Sequence, residues 1–127
     1  MAKYPLHKFS ARKQQAVITR KDLDQLPRQI AEIFIGDEQL IHRAFWGILK
    51  KNRFPSIKSL PAKYIQMIAD DISQIVWARI WELYQKQSLE NIKNKRAYVR
   101  QIVRFKIIDT NQWLSRHVSY EDLLQRK

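Results

Sequence analysis

Apolar positions recur along most of this chain at the three- and four-residue spacing that gathers side chains on one side of a helix. Between Glu38 and about Lys51 the residues Leu40, Ile41, Ala44, Phe45, Ile48 and Leu49 predict a helix with one buried stripe, and Trp46 falls off its centre. A longer helix is predicted from about Pro61 to Gln85. Its face is made by Tyr64, Ile65, Ile68, Ile72, Ile75, Val76, Arg79, Ile80 and Leu83, and Trp77, Trp81 and Tyr84 widen the apolar arc, so it reads as a core helix buried round most of its circumference. A second long helix is expected from about Lys93 to Arg116, carrying Ala97, Tyr98, Val99, Ile102, Val103, Phe105, Ile107, Ile108 and Trp113.

The breaks between these segments carry helix punctuation. Pro27 suits the first turn of a helix through Arg28, Ile30, Ala31, Ile33 and Phe34, which Gly36 would end, and Asp37 reads as the N-cap of the next. The stretch KKNRFPSIKS holds Pro55 and reads as a basic loop, with Ser59, Leu60 and Pro61 starting the long helix. Gln87 to Asn91 forms a turn, and Ser119 with Asp122 in a capping box opens a last short helix. Residues 1–22 show no sustained helical period. From Met1 to Lys21 they hold Lys3, Lys8, Arg12, Lys13, Arg20 and Lys21 without an acidic residue, so they read as a mobile basic arm ahead of one helical domain over 23–127. No internal repeat is visible. With only two glycines and four prolines in the chain, the expected fold is an all-α, compact bundle of four to five helices.

A chain of 127 residues with 45% apolar content suffices for one core. The absence of cysteine removes disulfides, thiolate metal sites and cysteine nucleophiles together. No stretch has the length of a signal peptide's apolar region or of a membrane span, so a cytoplasmic protein without a membrane partner is expected.

Charge changes the picture most. Twenty-four Lys and Arg stand against 12 Asp and Glu, a formal +12, and such a field favours polyanions. A merely basic protein and an anionic membrane surface are the competing explanations; nucleic acid leads.

The chain offers no convergent catalytic groups. His7, His42 and His117 are far apart and lack metal-ligand spacing, which leaves them as surface or cap residues. Asp70 and Asp71 are adjacent, hence about 100° apart on a helix, and cannot face one another as acid and base. No glycine-rich phosphate loop is present. Neither a catalytic role nor a metal or cofactor is expected.

Lys93 to Arg116 is the informative region. Lys93, Lys95, Arg96, Arg100, Arg104, Lys106 and Arg116 are opposed by Asp109 alone, with Tyr98, Phe105, Trp113, Asn111 and Gln112 among them. Cations neutralise phosphates, aromatic faces stack on unpaired bases, and amides or arginines reach base edges, a mixture suited to partly single-stranded DNA. Aromatics in an ordinary core and charges on an ordinary solvated face are the plainer alternative. Arg96, Arg100 and Arg104 recur every fourth residue and are expected to form one stripe, while Tyr98 and Phe105, seven apart, share a face on which Phe105 is assigned to the core.

The segment ADDISQIVWARIW, from Ala69 to Trp81, resembles the signature helix in the second conserved region of bacterial sigma factors. Asp70, Asp71, Ile72, Gln74, Trp77, Arg79, Ile80 and Trp81 fall in register with that pattern. The next helix, RAYVRQIVRFKIIDTNQWLSR, is similar to the family's promoter-reading helix, with an aromatic at Tyr98, a basic residue at Arg104 and the pair Ile108 and Asp109. The likeness spans roughly Asp37 to Leu124, matching only in helical pattern before Tyr64, and is strongest to the short extracytoplasmic-function type.

The resemblance implies that Asp71 and Gln74, with Asp70 beside them, bind the clamp helices of the largest subunit of bacterial RNA polymerase core. It implies Lys95, Arg96, Arg100, Arg104, Asn111, Gln112 and Arg116 for promoter DNA at the melting element, and Lys93, Tyr98 and Trp113 join them from the residue mixture above. Ile75 stands where many members have an acidic clamp contact, Phe105 replaces the usual Asn, and Thr110 to Trp113 lacks the family's arginine cluster. The sequence ends at Lys127 without the family's helix-turn-helix. The expectation is a stand-alone sigma-like module that binds RNA polymerase and promoter DNA, as a minimal factor, as the partner of a separate chain supplying the missing promoter-reading domain, or as a phage-type or accessory regulator. A polymerase-binding decoy that inhibits transcription, and a helical DNA- or RNA-binding protein unrelated to polymerase, are the alternatives.

Overall fold

Pro27, at φ −56° and ψ 148°, takes the cap position just ahead of helix α1 (Arg28–Phe34), one place earlier than the first-turn site expected of it. The computed structural model describes residues 24–51 and 53–117; within them the structure is all-helical, and no strand occurs. The predicted arm over 1–22, His7 and the short helix from Ser119 lie outside the described residues. Gly36 ends α1 as the sequence suggests, because its φ of 80° lies in the left-handed region that a Cβ penalises.

Helix α2 (Leu40–Leu49) starts two residues later than expected, with Gln39 at its cap. Asp37 is therefore not the N-cap: its carboxylate accepts from Arg43 Nε at 3.2 Å, and its carbonyl accepts from the Leu40 amide. Leu40, Ile41, Ala44, Phe45 and Leu49 are buried, which bears out the predicted stripe. The basic loop expected over Lys50 to Ser59 instead contains a one-turn helix, α3 (Pro55–Lys58), with Pro55 in its first turn. Four residues are too few to show a period, but Phe54 and Ile57 act as a pair of anchors, both buried.

Helix α4 (Ala62–Gln85) runs almost as predicted and buries Ala69, Ile72, Ser73, Val76, Trp77, Ile80, Trp81 and Leu83. It is not buried round most of its circumference. Met67 and Ile75 are exposed, at 56% and 43%, because they sit on the side turned away from the core. Gln87, at φ 58°, reverses the chain into a 3-10 turn, Leu89–Asn91, whose Leu89 is buried. Helix α5 (Lys95–His117) follows, with Asn94 Oδ1 accepting from the Ala97 amide at 2.9 Å in the manner of an N-cap.

The core gathers between these helices. Phe34 of α1 stacks on Trp77 of α4, with centroids 4.9 Å apart, and Phe45 of α2 is fully buried. Val99, Val103 and Ile107 of α5 complete it against α2, α3 and α4. Fully burying each such side chain contributes about 1.5–3 kcal/mol. No helix among the described residues is long and apolar enough to cross a membrane.

Candidate nucleic-acid and docking surfaces

The positions of the α5 cations follow from helix geometry. Residues four apart are rotated by about 40° from one another, so a row of them drifts round the helix. Arg96, nearest the core-facing side, is held inward: its Nε donates to the Ile33 carbonyl at 2.8 Å and an Nη to the Ile35 carbonyl. These are carbonyls at the end of α1, where a cation also complements the helix dipole. The single stripe expected of Arg96, Arg100 and Arg104 is thus broken, and only Arg100 and Arg104 face solvent.

Two more candidates serve the fold. Lys95 Nζ donates to the Ile92 carbonyl at 3.2 Å. Asn111, expected to read bases, accepts through Oδ1 from the Ile57 amide at 3.1 Å, which satisfies a donor in the first turn of α3. Lys93, Arg100, Arg104, Gln112 and Arg116 are exposed and make no side-chain hydrogen bond or ion pair among the described residues.

The aromatic assignment is reversed. Tyr98 is half-buried, and its phenol oxygen accepts from Arg79 Nε of α4 at 3.2 Å. Phe105, assigned to the core, is 53% exposed. Seven residues return nearly to the same side of a helix, but Tyr98 leans on α4 whereas Phe105 lies a full two turns on, clear of that neighbour. Trp113 is also 53% exposed and stacks on His117 at 4.8 Å and 18°, with the histidine Nδ1 3.0 Å from the Trp113 carbonyl.

On α4 the adjacent acids diverge as their spacing requires. Asp70 turns toward α2, where Oδ1 lies 3.3 Å from His42 Nε2 and accepts from Gln66 at 3.1 Å. His42, expected at the surface or in a cap, is a largely buried inter-helix contact, its side chain 13% exposed. Asp71 is exposed and Gln74 half-buried; neither side chain has a partner among the described residues, and they lie beside the exposed Met67 and Ile75.

A shallow groove of about 320 Å³ separates α4 from α5, lined by Ile75, Ala78, Arg79, Glu82, Ile102 and Lys106. Arg79 donates to Glu82 at 2.8 Å and Lys86 donates to the other oxygen at 3.2 Å. The hydrogen bond from Arg79, followed by that from Lys86, holds the Glu82 carboxyl below its ordinary value. The bond to Tyr98 and then that to Glu82 hold the Arg79 guanidinium above its own.

Arg100 leaves α5 on the opposite flank, toward α2. There it meets Arg43 and Lys51, which carry no signal of their own in the sequence although they stand eight residues apart with Gly47 midway.

No protein-family model matches the chain, and no curated protein or solved structure matches it either.

Proposed function

We propose that this chain is a stand-alone sigma-like transcription module that docks on the clamp helices of bacterial RNA polymerase core through the outer edge of α4 and engages promoter DNA with the open cations of α5. The observation that carries the reading is the contrast within one helical turn: Asp70 is tied into the fold, whereas the exposed Asp71 and the half-buried Gln74 have no side-chain partner among the described residues and lie beside Met67 and Ile75. These are the positions at which the resemblance to sigma factors puts clamp contacts. Exposed apolar side chains such as Met67 and Ile75, with polar groups at their edge, also match the apolar centre and polar rim of a protein interface.

The DNA half of the reading rests on Lys93, Arg100, Arg104, Gln112 and Arg116, all exposed, with Phe105 and Trp113 as exposed aromatic faces on α5. A chain of formal charge +12 supplies the long-range attraction. Arg96, Tyr98, Asn111 and Asp70 have no binding role in it, since each bridges to another helix, and neither has Lys95, whose ammonium is held on the Ile92 carbonyl just ahead of α5.

Retention of the purified chain on immobilised core polymerase is the test, with Asp71→Ala/Gln74→Ala alongside. The expected result is retention of the wild type and its loss in the double variant at an unaltered melting temperature. A wild type that passes through unretained removes the polymerase reading.

A further inference from the structure

Between α2 and α5 lies an open cleft of about 230 Å³, lined by Leu40, Arg43, Ala44, Gly47, Ile48, Lys51 and Arg100. Its floor is apolar and its rim is cationic. Arg43 is 70% exposed and has Asp37 as its one carboxylate partner, while Lys51 and Arg100 have none among the described residues. Three cations against one carboxylate leave the rim with a net charge of +2.

Gly47 is the second, independent feature. It sits inside α2, where glycine weakens a helix relative to alanine, and an added Cβ would meet nothing within 4 Å. Its φ is not in the left-handed region. Neither backbone conformation nor packing among the described residues therefore calls for glycine there. What a missing side chain does at that position is let another chain lie against the helix backbone between Arg43 and Lys51.

We infer that this cleft seats the phosphodiester backbone of a nucleic-acid strand, its phosphates held by Arg43, Lys51 and Arg100 and its sugar edge resting on Gly47. The cleft is open at its surface and bears cations on both walls, which suits a strand passing through it. The inference rests on the DNA half of the proposed function and extends the nucleic-acid surface from α5 onto α2. Phosphate contacts position a strand without reading its sequence, so the seat is indifferent to base identity.

Fluorescence anisotropy with labelled single-stranded and bubble DNA over a salt series tests it, using Gly47→Leu, Lys51→Gln/Arg100→Gln, and Lys86→Gln on the far end of α4 as reference. Gly47→Leu is expected to fill the cleft, to weaken binding of every sequence and to lower the salt slope, with a melting temperature no lower than the wild type's. The double charge variant is expected to lower the slope by about two, one for each phosphate that is no longer neutralised, and the reference variant to leave it unchanged. Wild-type binding with an undiminished slope in Gly47→Leu overturns the seat and leaves the proposed function standing. A wild type that binds none of these DNAs overturns the seat together with the DNA half of that function, while polymerase retention still reports on the other half.

Discussion

Arg79 of α4 and Tyr98 of α5 are joined by a hydrogen bond from the guanidinium Nε to the phenol oxygen, 3.2 Å long, and the same guanidinium holds Glu82 through its Nη. The bond turns the one aromatic that the sequence offers near the start of α5 into a tie between the two long helices. Tyr98→Phe keeps the ring and removes the acceptor. It is expected to cost about 0.5–1.5 kcal/mol in chemical denaturation and to leave affinity for single-stranded DNA unchanged. A marked loss of affinity at unchanged stability would return Tyr98 to the DNA surface.

Glu82 gives that cluster a pH dependence of known sign. Its folded-state carboxyl is held below the ordinary glutamate value by Arg79 first and Lys86 second, so it binds a proton less readily folded than unfolded. The stabilisation is present above the unfolded-state value and is lost as pH falls through the folded-state value. Urea midpoints of wild type and Glu82→Gln are expected to differ near neutrality and to converge at acid pH, by a small margin because the group is exposed. A difference that persists or grows in acid contradicts the assignment.

Arg96 and Arg104 separate stability from binding within one helix. Arg96→Ala uncouples α5 from the carbonyls at the end of α1 and is expected to cost roughly 1.5–3 kcal/mol, the range for hydrogen bonds from charged donors, without altering the salt slope of DNA binding. Arg104→Ala is expected to change stability by less than about 0.5 kcal/mol and to lower the salt slope by about one. The reverse pattern in paired melting and salt-titration experiments would show that the inward and outward assignments are interchanged.

Asn111 and Gln112 form a similar pair. Asn111→Ala leaves the Ile57 amide without its acceptor and is expected to cost about 1–3 kcal/mol, whereas Gln112→Ala, at an exposed position, is expected to be nearly neutral for folding. Equal melting temperatures for the two variants would mean that α3 does not depend on this hydrogen bond.

The helical architecture was legible because burial repeats with the helix period: the stripe of α2 and the central face of α4 came directly from that spacing. Single capping and bridging roles were not legible. Whether Asp37 caps α2 or pairs with Arg43, and whether Asn111 meets a base or the Ile57 amide, depends on where a residue 6 or 54 places away lies in space. The same holds for the α5 cations, since net charge and clustering are visible in the sequence but the drift that turns Arg96 inward and Arg104 outward matters only once the end of α1 lies within reach of Arg96. Phe105 misled for a related reason. An apolar residue at helical spacing is ordinarily core, and only the exposed flank of α5 reveals that nothing covers it.

Phe105 and Trp113 lead to the last prediction, that this protein binds opened DNA in preference to duplex. Both rings are about half exposed on α5, in the same helix as Arg100, Arg104 and Arg116, whose side chains have no partner among the described residues. In a duplex the bases are already stacked on one another and offer such rings nothing, whereas an unpaired base gains about 1–3 kcal/mol on an aromatic face. Trp113 is the better platform of the two, because His117 supports one side of its indole at 4.8 Å and leaves the other available. At equal salt, wild-type affinity should therefore be higher for a bubble than for the matched duplex. Trp113→Ala is expected to reduce that preference by the stacking contribution while duplex affinity, set by the cations, stays constant. Phe105→Ala is expected to do so to a lesser degree. Equal affinity of the wild type for bubble and duplex would leave these rings without a base to stack on and would favour a partner protein on this part of α5.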